Sequence, residues 1–101
     1  MEPIAETVDA AFDIEVALFE PPMRGREGYV SGVQPNHLIP GKDYFFIGRV
    51  EFEGKKWLKP GEKCKARLEC IIPKADLELF APGFAWHICE AYKVVGYAKV
   101  I

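Results

Sequence analysis

Residues 62–72 read EKCKARLECII, and this stretch decides the fold class. Cys64, Ala66, Leu68, Cys70 and Ile72 alternate with Lys63, Lys65, Arg67 and Glu69. A period of two puts the apolar set on one pleat of a strand and the charged set on the other, the signature of a strand buried on one face. Pro60-Gly61 stands just before the strand and Pro73 ends it, because proline has no amide hydrogen to give to a ladder.

The same period recurs in both directions. Downstream, Pro82-Gly83 launches GFAWHICE, with Phe84, Trp86 and Ile88 on one face and Ala85, His87 and Cys89 on the other. The AYK connection then leads into a last strand, VVGYAKVI. Upstream, DYFFIGRVEFE is rich in aromatic and β-branched residues and predicts a strand from Tyr44 to Phe52. Gly48 in its middle predicts a bulge or sharp bend. AFDIEVALFE alternates through Phe12, Ile14, Val16 and Leu18 until Pro21-Pro22 stops it. Residues 20–42 read as a long loop with a short strand at Tyr29-Val30, and Trp57-Leu58 is a short apolar pair between two turns. ADLELF suits either a short strand or a helical turn. No stretch carries a sustained helical period, so the chain is expected to be all-β, a barrel or sandwich. One domain over residues 12–101 follows a flexible acidic arm at 1–11.

Composition narrows the function classes. In 101 residues, half are hydrophobic and over a quarter are charged, which suits a single globular core. Six acidic residues and no Lys or Arg precede residue 23, and the rest of the chain holds all 13 basic residues. That body is mildly basic but has no Arg/Lys run of the kind that marks a nucleic-acid binder. No apolar run reaches the length of a membrane span, and the first ten residues lack the basic and apolar regions of a signal peptide. A cytoplasmic chain with three free thiols is the expectation.

Candidate chemistry is sparse. Cys64, Cys70, Cys89, His37 and His87 have metal-ligand side chains, but five residues separate Cys64 from Cys70, which is not a zinc-knuckle spacing. No metal or other cofactor is expected. His87 and Cys89 share a strand face about 7 Å apart, yet no third group orients them as a nucleophile pair. No enzyme is expected. Phe45, Ile47, Tyr92 and Tyr97, exposed together, would form an apolar docking patch for a protein partner. Of these, Phe45, Tyr92 and Tyr97 are the candidate interface residues.

The span PGEKCKARLECIIPKADLELFAPGFAWHICEAYKVVGYAKVI resembles the end of the C-terminal β-barrel domain (domain 3) of elongation factor Tu and related translation GTPases. The features carrying it are Pro60-Gly61-Glu62, Pro73, Gly83, the alternating Phe84/Trp86/Ile88, Glu90 and Val95-Gly96. Gly25-Arg26, Gly32-Val33-Gln34-Pro35-Asn36 and Gly48-Arg49-Val50-Glu51 extend it upstream, so that it covers about residues 12–101. The resemblance implies a closed six-stranded antiparallel β-barrel in which Trp86 and Ile88 fill the interior and His87 and Cys89 face outward. It implies no catalysis, since the family's GTPase site lies in another domain, and this chain has no GxxxxGK[ST] loop for a nucleotide. It also implies tRNA contacts at Arg26, Asn36 and Glu90. Glu27 and the hairpin Glu90-Ala91-Tyr92-Lys93 depart from the family there, losing glycines that let a backbone approach phosphate, which weakens that contact. The expected role is thus a stand-alone protein-binding or adaptor module. The alternatives are an RNA (tRNA)-binding module, or an immunity or antitoxin protein that uses its acidic arm.

Overall fold

The computed structural model describes residues 6–20 and 27–101. Along them run β1 (Thr7–Leu18), β2 (Tyr29–Val30), β3 (Asn36–Leu38), β4 (Phe45–Phe52), β5 (Trp57–Leu58), β6 (Lys63–Pro73), β7 (Ala85–Glu90) and β8 (Lys93–Val100), with a 3-10 helix at Lys74–Leu79 between β6 and β7. Six strands close into an antiparallel barrel in the order β1-β6-β4-β3-β7-β8, while β2 and β5 pair as a separate ribbon.

The alternation that identified β6 also sets its place. Ala66, Leu68, Cys70 and Ile72 are buried, Cys64 is half-buried, and the charged residues between them are exposed. β6 pairs with β1 from Ala17↔Lys63 to Thr7↔Pro73 and with β4 from Phe52↔Ala66 to Ile47↔Ile71. Both Pro-Gly launches are tight turns. The Glu62 amide donates to the Lys59 carbonyl at 3.0 Å and the Phe84 amide to the Ala81 carbonyl at 2.9 Å. Gly61 (φ 86°) and Gly83 (φ 93°) take the left-handed conformation that follows proline in such turns.

Three elements differ from the sequence reading. β1 begins at Thr7 rather than Phe12, because Val8 and Ala10 continue its inward parity and the far end of β6 gives them a partner. Residues 7–11 are therefore strand. β8 flanks β1 only from Ile14 to Leu18, so the first part of β1 has a barrel neighbour on one side alone. Gly48 is neither bulge nor bend: its register runs unbroken from Ile47↔Ile71 to Phe52↔Ala66. It serves as space, since a Cβ there would sit 2.7 Å from Leu68 and 3.1 Å from the His37 ring. The irregularity lies instead between Ile88 and Cys89, where β7 and β8 shift register at Val95.

The interior is aromatic at one end. Trp86 is fully buried, with Phe80 at 5.1 Å and Phe46 at 5.8 Å between ring centroids, and Phe12 stacks on Phe80 at 4.9 Å. The 3-10 helix that ADLELF forms brings Phe80 to this cluster. It is tied down at Asp76, a buried carboxylate that accepts from the Tyr44 hydroxyl and lies 3.7 Å from the Lys42 ammonium. That hydrogen bond, with lesser help from desolvation and nearby charge, pushes the Tyr44 hydroxyl up to about 12. Gly96 permits closure: a Cβ there would run into the Ala17 carbonyl, so only glycine lets β8 approach β1 this closely.

Candidate functional site

β4 divides its aromatics by parity. Phe46 points into the barrel and is buried, whereas its neighbour Phe45 points out and is 37% exposed. Beside Phe45 on the outer surface lies Tyr92, 6.0 Å away between centroids and 91% exposed at the tip of the β7–β8 hairpin. Two residues along β4, Ile47 is 63% exposed and pairs across the sheet with Ile71 of β6, itself 44% exposed. A strip of apolar side chains thus crosses from the hairpin to the far side of the barrel. Beyond it opens a groove of about 590 Å³, with Ile47 and Ile71 among its apolar walls and Asp9, Arg49 and Glu69 among its charged ones.

The hairpin holds Tyr92 rigidly. Glu90 pairs with Lys93, leaving Ala91 and Tyr92 as the turn, and Ala91 has φ 52°, a left-handed value a non-glycine residue rarely takes. The Asn36 amide braces it by donating to the Ala91 carbonyl at 3.2 Å. Asn36 and Glu90, two of the residues the resemblance implicates in tRNA contact, therefore line one small recess with Cys89 and Ala91. Arg26, the third, lies outside the described residues. Of the candidate interface residues, Phe45 and Tyr92 meet and Tyr97 does not join them. Its ring packs on Phe19 at 6.4 Å, and its hydroxyl donates to Glu15 at 3.4 Å.

The histidines and cysteines fall into separate environments. His37 has no exposed surface. The Trp86 indole N–H donates to its Nδ1 at 3.0 Å, so its Nε2 carries the proton and donates to the Gly48 carbonyl at 3.0 Å. Burial pulls its pKa down to about 4, partly opposed by the bond to Gly48. Both ring nitrogens are committed to the interior. Cys89, expected on the outer face, is buried to 2% exposure where the β7–β8 register shifts and Asn36 of β3 pairs with it. Desolvation raises the thiols of Cys64, Cys70 and Cys89, that of Cys70 to about 11, so each stays protonated and poorly nucleophilic at neutral pH. Among the described residues, no group of three or more His, Cys, Asp or Glu side chains is arranged to hold a metal.

Three acids of the N-terminal stretch, Glu6, Asp13 and Glu15, meet the barrel's own cations. Arg67 reaches Asp13 at 3.4 Å, Lys63 and Lys99 reach Glu15 at 3.7 and 3.5 Å, and Lys74 reaches Glu6 at 3.6 Å. Exposed pairs of this kind add little stability, but they leave less acid to offer a cationic partner.

Sequence reasoning named Phe45, Ile47 and Tyr92 of the strip but missed Ile71 and what supports the hairpin. The His37–Trp86 bond joins residues 49 positions apart, and the strained Ala91 stands where hairpins usually place glycine. Only that alanine, inside an otherwise ordinary two-residue hairpin, was visible as a signal. Among the described residues, no helix is long and apolar enough to cross a membrane. Comparison with protein-family models and with curated proteins finds no match for the chain.

Proposed function

We propose that this chain is a non-catalytic binding module of the elongation factor Tu domain 3 type that holds another protein on the outer face formed by the Phe45–Ile47 part of β4, Ile71 of β6 and the tip of the β7–β8 hairpin. The observation carrying this reading is the exposed Phe45–Tyr92 pair, continuous with Ile47 and Ile71. Large exposed aromatics beside branched aliphatics are the anchors protein interfaces use, and a monomer gains nothing from leaving them in water. The raised thiols, the interior commitment of His37 and the scarcity of convergent polar groups favour binding over catalysis. The Pro-Gly launches and the Val95-Gly96 step support the likeness to the translation-factor barrel, with residue resemblance as its whole basis.

The test replaces Tyr92, Ile47 or Lys65 by a photo-crosslinking residue in the producing host. Protein adducts should form from positions 92 and 47 and not from position 65, which lies on the charged part of the wall. The purified partner should bind about tenfold more weakly to Tyr92→Ala, with little dependence on salt. An adduct that nuclease removes, with affinity falling steeply as salt rises, overturns the reading in favour of RNA.

A further inference from the structure

Among the described residues, the barrel leaves one backbone edge of β1 without a strand partner. The Leu18 amide donates to Glu62 ahead of β6, and the Lys74 amide to Glu6, so the even-numbered residues of β1 turn their backbone groups toward β6. Asp13, by contrast, accepts from the Ile101 amide on the β8 side. In an antiparallel ladder the N–H and C=O of one residue point the same way. Thr7, Asp9 and Ala11 therefore aim their amides and carbonyls where β8 would lie, and β8 stops opposite Ile14. Among the described residues, no strand pairs with that side of 7–11.

The side chains on this edge are incomplete in the same sense. Val8, Ala10 and Phe12 pack on the core but are only half-buried, while the matching residues farther along β1, Ile14, Val16 and Leu18, lie between two strands and are fully buried. On the outer face, the barrel sets a cation near each acid it flanks: Lys99 of β8 and Lys63 of β6 on Glu15, and Arg67 of β6 on Asp13. Asp9 breaks the rule, because its β6 partner is Ile71 and no β8 residue stands on its other side.

We infer that the 7–11 edge of β1 is a strand-addition site for an extended segment of a partner protein, running antiparallel to β1 in line with β8. The segment presents apolar residues beside Val8, Ala10 and Phe12 and a Lys or Arg beside Asp9. Backbone pairing supplies the attachment, and the alternating pockets supply the selectivity. A second copy of this chain fits poorly: the two-fold antiparallel register that pairs the whole edge sets Asp9 against its own copy, and like charges directly opposite repel. This site adjoins the proposed strip where Asp9 pairs with Ile71 at the groove, but its attachment runs through the β1 backbone and does not depend on that strip.

The test uses the full chain and a short peptide alternating valine and lysine. Binding followed by fluorescence anisotropy should saturate, and amide exchange should slow at Thr7, Asp9 and Ala11. Methylating the peptide amides that face the edge should abolish binding, and methylating those that face away should not. A valine/glutamate peptide should bind at least about tenfold more weakly, and Asp9→Lys should reverse that order. Ala11→Pro removes a donor that points to the edge while keeping the β6 ladder, so it should block the peptide without unfolding the barrel. Binding that ignores backbone methylation reduces the effect to charge attraction and overturns the proposal. So does a concentration-dependent dimer that Asp9→Lys strengthens or abolishes, since the occupant is then a second copy. Absence of any peptide binding overturns it too, leaving Asp9 as a charge that keeps a bare edge from aggregating.

Discussion

Phe46 and Phe45 are neighbours on one strand, yet they belong to two aromatic assemblies with opposite physics. Phe46 joins Trp86, Phe80 and His37 inside the barrel, where every polar atom of the histidine and indole has a partner and all four side chains are buried. Phe45 joins Tyr92 outside, where the side chains are exposed and the backbone beneath is strained at Ala91. The inner cluster holds the fold together through burial and satisfied hydrogen bonds. The outer pair adds little to the fold, and the proposed partner would account for its exposure. Mutations that separate stability from binding can break or sharpen this contrast.

The largest effect is expected at the barrel seam. Gly96→Ala drives a methyl into the Ala17 carbonyl, and the unfolding free energy from urea titration should fall by more than about 3 kcal/mol. Trp86→Phe, within the inner cluster, leaves a small void and takes the donor from His37 Nδ1, at a cost of about 2 to 3 kcal/mol. If Tyr92→Ala cost as much, the contrast between the two assemblies would collapse.

The inner cluster also predicts a pH dependence. The pKa of His37 is about 4 in the folded chain against an ordinary 6.5, so between those values the unfolded state binds the extra proton. Stability is complete above the upper value and is lost as pH falls toward the lower one. From about pH 7 to about pH 5 the unfolding free energy should drop by about 2 kcal/mol, and His37→Gln should flatten that slope. The outer assembly gives smaller numbers. Ala91→Gly relieves the left-handed strain and should raise stability by about 0.5 to 1 kcal/mol. Tyr92→Ala should change stability by less than about 0.5 kcal/mol while weakening partner binding about tenfold.

Much of this was legible in the order of residues. The parity of β6, β7 and β4 placed Leu68, Trp86 and Phe46 inside and Arg67 and Phe45 outside, because a strand alternates faces whatever it pairs with. Parity failed at Cys89, which is buried where the β7–β8 register shifts. It was silent on His37, whose strand is three residues long and too short to carry a period. Gly48 read as a bend and proved to be the room that the histidine ring occupies.

By itself, then, the sequence determined the long strands, most of their faces and the Pro-Gly turns that start two of them, because these depend on local chemistry and a period of two. Only the tertiary structure decided which residues meet: His37 with Trp86, Phe45 with Tyr92, Asn36 with the Ala91 hairpin, and β1 with an edge left open past β8. Those meetings depend on barrel closure and register, which bring together residues tens of positions apart, and no local pattern encodes a distance across the barrel.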